Sequence, residues 1–183
     1  MLTDTEKQAY IRNTAYTVRN TYQPKTPVNV GSIIRQLGGD YIFQTGMDTL
    51  YDGSVMKRSS GGFMIRLPAY LETREAAESL VRYALGVELG HALLHMGYGI
   101  DLGLWKSLEE DRYFLMTETM REEARTFAEY LLMPEDEFSR VMKEYTERTE
   151  NAVSMQKVAD HFGVILAVAI KCGKNRGMLS TKL

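Results

Sequence analysis

The stretch from Arg82 to His95, Arg-Tyr-Ala-Leu-Gly-Val-Glu-Leu-Gly-His-Ala-Leu-Leu-His, constrains the fold more than any other part of the chain. At about 100° per residue, Val87, Glu88, His91 and His95 fall within roughly a 100° arc of one helix face. Val81, Leu85, Leu89, Ala92, Leu93 and Met96 cover the opposite side. A helix that is apolar around most of its girth is buried, so its polar strip must face a cleft or a set of hydrogen-bonding partners. The rest of the chain therefore has to wrap around this helix, which the pattern extends from Thr73 to Met96.

Glu88 and His91 form the last half of a His-Glu-x-x-His zinc helix. In that motif two histidines at i and i+4 project from one face and reach one tetrahedral Zn²⁺. The glutamate takes a proton from the zinc-bound water, whose pKa the metal lowers from about 15.7 to about 7. Here Val87 stands at the first histidine position, and valine has no lone pair to offer a metal. One imidazole does not make a zinc site. Two readings of the strip stay open: a satisfied buried Glu88–His91 pair with His95 hydrogen-bonded nearby, or a relocated divalent site on Glu88, His91 and His95. The second asks one helix to converge side chains at i, i+3 and i+7. The other histidine is His161 and the lone cysteine is Cys172, so further ligands are mainly carboxylates.

A chain of 183 residues, 44% apolar, has enough hydrophobic material for a real core. Thr3 and Glu6 spell a capping box ahead of a first helix with Ile11, Ala15, Val18 and Tyr22 as its stripe, broken by Pro24 and Pro27. A short helix from Val30 to Leu37 stops at Gly38-Gly39. Tyr41–Phe43, Ser54–Met56 and Phe63–Leu67 read as strands of a small sheet, with turns at Asp52-Gly53 and Ser60-Gly61-Gly62. Gly97, Gly99 and Gly103 mark a loop around Trp105, a packing residue. Helices are expected at about 116–132, 135–147, 153–161 and 165–172.

The formal net charge of −2 gives no basic field to draw nucleic acid or an anionic membrane. A lone cysteine suits a reducing cytoplasm, and the opening residues lack the apolar run of a signal peptide. No stretch approaches the roughly 20 apolar residues that span a bilayer. Met155–Gly173 has the outline of a helix-turn-helix, with Lys171, Lys174, Arg176 and Lys182 nearby. Its second helix begins Ile165-Leu166-Ala167-Val168-Ala169-Ile170, which is too apolar to read base edges and reads as core.

Several ordered segments resemble the ImmA/IrrE family of metallopeptidases. Gly62–Leu67 is similar to the strand entering the family's active-site helix, and Arg82-Tyr83 stands where an Arg-Phe pair is usual. Leu89-Gly90-His91-Ala92-Leu93-Leu94-His95 is close to the family pattern. Glu123-Ala124-Arg125-Thr126-Phe127-Ala128-Glu129-Tyr130-Leu131-Leu132-Met133-Pro134 resembles its second signature, and Val158–Val164 its closing helices. The resemblance runs from about Val28 to Cys172. It implies an α+β fold: a mainly helical zincin-like domain with a small three-stranded sheet before the active-site helix, followed by C-terminal helices. The organisation expected is an N-terminal helix at 1–24, the zincin-like domain at 25–150, and a helical segment at 151–183 packed on it.

For function, the resemblance implies a zinc metallo-endopeptidase, encoded on mobile elements, that cleaves helix-turn-helix repressors. It puts the third zinc ligand three residues before Ala124, at Arg121; in the other register the residue just before the alanine, Glu123, would serve. Glu118 lies a turn earlier. With Val87 and Arg121 at ligand positions, the reading is a catalytically degenerate homologue: Glu88 at the residual general-base position, His91 and His95 as weak metal candidates, and no cofactor. An Arg121–Glu88 ion pair then replaces the metal. Such a protein acts as a regulatory module for a protein or peptide partner, a repressor by analogy. The alternatives are an active metallopeptidase holding Zn²⁺ on Glu88, His91 and His95, or an interaction or structural protein using other surfaces. The sequence names neither the partner nor the oligomeric state.

Overall fold

The computed structural model describes residues 3–46, 53–72, 78–147 and 152–179. Helix α1 (Asp4–Tyr22) opens with the expected capping box: the Thr3 hydroxyl accepts from Glu6 N at 3.3 Å, and the Glu6 carboxylate accepts from Thr3 N at 2.8 Å. Ile11, Thr14, Ala15 and Val18 form its buried face. Asn29 caps α2 (Val30–Gln36) by accepting from Ser32 N.

Strands β1 (Asp40–Gln44), β2 (Ser54–Lys57) and β3 (Phe63–Pro68) form one sheet in the order β1-β3-β2. The central strand β3 runs parallel to β1 and antiparallel to β2. Its alternate residues Phe63, Ile65 and Leu67 are fully buried, the period-2 signature of a strand with one face on the core. The outer side of β2 is covered by residues 110–114, where Asp111 N donates to Lys57 O and Phe114 N to Val55 O.

A 3-10 turn (Ala69–Glu72) leads toward α3 (Glu78–Gly90), which continues into a π-helical turn over His91–His95. Then come α4 (Leu102–Ser107), α5 (Glu118–Leu132), α6 (Glu135–Glu144), a two-strand pairing of β4 (Thr146–Glu147) with β5 (Ala152–Val153), α7 (Met155–Phe162) and α8 (Leu166–Asn175). The fold is α+β, mainly helical, with the three-stranded sheet preceding the motif helix. Among the described residues no helix is long and apolar enough to cross a membrane.

Small residues bring α3 and α5 together. A Cβ on Gly86 would lie 3.2 Å from the Ala128 methyl, and one on Gly90 would lie 3.1 Å from the Ala124 backbone. The Gly86/Gly90 and Ala124/Ala128 pairs, each four residues apart, thus form the contact between two closely approaching helices. Arg82 fixes the start of α3, donating from Nε to Val28 O at 3.0 Å and from a guanidinium nitrogen to Gly163 O. Gly163 has φ 59° and ends α7, so the turn between α7 and α8 is tied to the motif helix. One buried cluster joins residues of α1, the sheet, α3, α5, α6, α7 and α8.

Three expectations change. The loop around Trp105 contains α4, because the Asp101 side chain accepts from Leu104 N and nucleates a turn. The motif helix is not α-helical to its end, since Met96 N reaches back five residues to His91 O. The β4–β5 pairing after α6 was not foreseen, and α6 ends at Glu144 instead of 147. The Thr73 start of the motif helix, Asp52 of the Asp52-Gly53 turn and Lys182 lie outside the described residues.

Candidate functional site

Because α3 turns its polar strip toward α5, the two helices enclose a recess. Its walls are Tyr83, Ala84, Val87 and Glu88 of α3, His91 of the π turn, Arg121 and Arg125 of α5, Gly53 before β2 and Met116 before α5. Counted out to its mouth it encloses about 410 Å³, of which about 20 Å³ would admit the centre of a water molecule. That is the scale of one buried water, about 10–15 Å³ by the same measure, so a peptide chain does not fit inside. Glycine at position 53 lets the Glu88 carboxyl sit against the wall: a Cβ there would lie 2.2 Å from Glu88 Oε1 and would push that side chain aside.

Glu88 is 5% exposed, and among the described residues its Oε2 has no hydrogen-bond partner. Burial pushes its carboxyl up from the ordinary 4.5 to about 8, against a smaller opposing pull from the Arg121 charge. Near neutral pH the group is therefore mostly protonated. His91 moves the other way, down to about 3, because burial disfavours its cation and His95, Arg121 and Arg125 add to the effect. The recess thus holds a neutral carboxyl, a neutral imidazole and two guanidiniums.

A second set of polar groups lies on the far flank of the same two helices. His91 Nδ1 lies 3.0 Å from His95 Nδ1, His95 Nε2 lies 3.0 Å from Glu123 Oε2, and Lys7 Nζ lies 3.0 Å from Glu123 Oε1. Burial lowers the His95 pKa, and the hydrogen bond to Glu123 only partly offsets it. A neutral His95 that donates from Nε2 to Glu123 must accept at Nδ1, so His91 donates from its Nδ1. Burial alone would raise Glu123, but its bonds to His95 and Lys7 outweigh that and hold it below the ordinary range. The π turn makes this arrangement by carrying His95 off the α-helical path; π turns concentrate at functional sites.

The single face expected for the strip is thus divided. Val87, Glu88, His91 and Arg121 line one recess, whereas His95 and Glu123 bond to each other. Glu118 sits at the rim, 3.9 Å from Arg121 Nε and 3.1 Å from an Arg125 nitrogen. The expected Arg121–Glu88 ion pair is corrected. Arg121 bears on Glu88 as a charge across the recess, while Glu88 Oε2 stays without a partner and Arg121 also meets Glu118. Among the described residues, no three His, Cys, Asp or Glu side chains are grouped as a metal would need.

Sequence reasoning missed Arg125, Met116, Tyr83, Gly53 and Lys7. Arg125 could have been found, since it lies one turn beyond Arg121 and so shares its face. Lys7 carried no such signal, because its contact with Glu123 joins residues that no local period relates.

The family model described as the IrrE N-terminal-like domain matches residues 73–171, more than half of the chain. No curated protein matches it.

Proposed function

The chain belongs to the ImmA/IrrE-like metallopeptidase family through its IrrE N-terminal-like domain, and from that premise we propose that it is a catalytically degenerate member that binds a protein or peptide partner without cutting it. One observation carries this reading: Val87 and Arg121 line the same recess as Glu88 and His91. The group the family implies is a zinc ion, and these residues do not fit it. One ligand position offers hydrocarbon and another a fixed positive charge. A second guanidinium, Arg125, lines the same wall and would repel a divalent cation.

A metallopeptidase with Glu88, His91 and His95 as ligands has less support, because His95 Nε2 is taken by Glu123 and the residue does not line the recess. By family resemblance the partner is a regulator, a helix-turn-helix repressor in the simplest case.

Restoring the ligands tests the reading. Val87→His combined with Arg121→Glu is expected to bind about one equivalent of zinc, and neither change alone is. A folded double variant that takes up no zinc would show that the two positions are not the lost ligands.

A further inference from the structure

The three-stranded sheet has two outer edges, and the fold treats them differently. Beyond β2, residues 110–114 answer the strand, with Asp111 N donating to Lys57 O and Phe114 N to Val55 O. Beyond β1, among the described residues, no backbone group takes up the edge: β1 pairs with β3 and with no other strand. The Tyr41 N–H donates to the Asp40 side chain at 2.9 Å in place of a neighbouring strand. Backbone groups two residues apart point the same way, so Tyr41 and Phe43 present their N–H and C=O outward. Sheets blunt such an edge with lysine, proline or a bulge. Asp-Tyr-Ile-Phe-Gln has neither residue, and its register with β3 is unbroken. Ile42 stands on this edge strand 42% exposed.

We infer that β1 is an interface at which two copies of this chain pair edge to edge, antiparallel about a two-fold axis through Ile42. A row of open backbone groups is answered by another extended backbone, which sets the kind of occupant. The residues of β1 favour a second copy, because the strand is complementary to itself. In the antiparallel register Ile42 faces Ile42 of the second copy, Tyr41 faces its Phe43, Phe43 its Tyr41, and Asp40 its Gln44. Aromatic and apolar pairs directly opposite each other stabilise antiparallel strands, and no like charges stand face to face. The direction of the amides agrees. Tyr41 and Phe43 form the two hydrogen-bonded pairs, and Ile42 forms the non-hydrogen-bonded pair between them, where side chains approach most closely. Any other register shortens the ladder of 5 residues. So short a ladder buries little area, so the dimer is weak, half-formed at a concentration of about 10 µM to 1 mM.

Sedimentation velocity of the full chain, from about 1 µM to about 1 mM, tests this. The protein should pass from monomer to dimer across that range. Ile42→Lys sets two like charges opposite each other at the axis and should weaken association at least about tenfold. The position is exposed, so the variant should keep its fold, which thermal melting checks. Ile42→Cys brings two thiols face to face, and with diamide as oxidant it should give a disulfide-linked dimer. Thr45→Cys, also at an exposed position, is the register control: its thiols would lie about 20 Å apart across the pair and should not link. Cys172 is buried and does not compete.

A protein that stays monomeric to about 1 mM overturns the inference, whatever other chain the edge then binds. So does association that a folded Ile42→Lys leaves unchanged. Equal linking of the Ile42→Cys and Thr45→Cys variants overturns it too, since that marks random collision. These readouts depend neither on the recess nor on zinc, so they leave the pseudoenzyme reading to its own test.

Discussion

The two flanks of the α3–α5 contact hold the same kinds of residue and treat them in opposite ways. On one flank, Lys7, Glu123, His95 and His91 form a continuous run of contacts at 3.0 Å, each group answered by the next. On the other, Glu88 is buried as deeply as His95, at 5% against 8% exposure, yet one of its oxygens has no partner among the described residues. Folding alone explains the first flank, because buried polar groups are costly until they are paired. It does not explain the second, where a leucine of similar size would avoid the cost. The recess is therefore the flank on which the described residues leave a buried carboxyl oxygen unanswered.

The largest effect expected from breaking the paired flank is that of His95→Ala. It removes the partner of both His91 and Glu123, leaving two groups short of a hydrogen bond at a cost of about 3 kcal/mol. Urea denaturation at neutral pH measures it. A loss below about 1 kcal/mol would mean that this flank is no more settled than the recess.

The next effect sharpens the contrast through pH. The folded pKa of Glu88 lies above its ordinary value, so its contribution is fully present below about 4.5 and is lost as pH rises through about 8. His91 runs the other way: its contribution is present above 6.5 and lost as pH falls toward about 3. Between pH 6.5 and 8, Glu88 is the one of these two that titrates, and stability should fall by on the order of 2 kcal/mol. Glu88→Gln should remove that part of the slope and be the more stable protein at pH 8. Identical pH profiles for the two proteins would show that Glu88 is not buried as described.

The smallest effect is that of Lys7→Ala. Its Nζ–Glu123 contact is half in solvent, with Lys7 40% exposed, so the denaturation midpoint should scarcely move, and any change should shrink further with added salt. A shift as large as that of His95→Ala would mean that the chain of contacts acts as one cooperative unit.

How far the sequence revealed all this depends on the range of the interactions involved. The capping box at Thr3 and Glu6, the stripe of α1 and the alternation of β3 are local periodic features, and each was legible. The polar strip of the motif helix was legible too, together with Val87 as its anomaly. Its division into two flanks was not, because no i, i+4 pattern announces the π turn at His91–His95. The choice between Arg121 and Glu123 was open for the same reason. Two residues apart, they leave α5 on different sides, and only the partner helix shows that Arg121 meets the recess and Glu123 meets His95. Asp101 capped α4 where three glycines had suggested a loop, so a short-range signal was present and outweighed.

The most direct measurement of the central claim is the zinc content of untagged protein, purified without chelator, by elemental mass spectrometry. Less than about a tenth of an equivalent is the result this account predicts, since Val87 and Arg121 leave the recess one imidazole and one carboxyl, short of the three protein ligands of a catalytic zinc site. Close to one equivalent would contradict it, and would require His91, His95 and the carboxylates of Glu88 and Glu123 to rearrange around a metal.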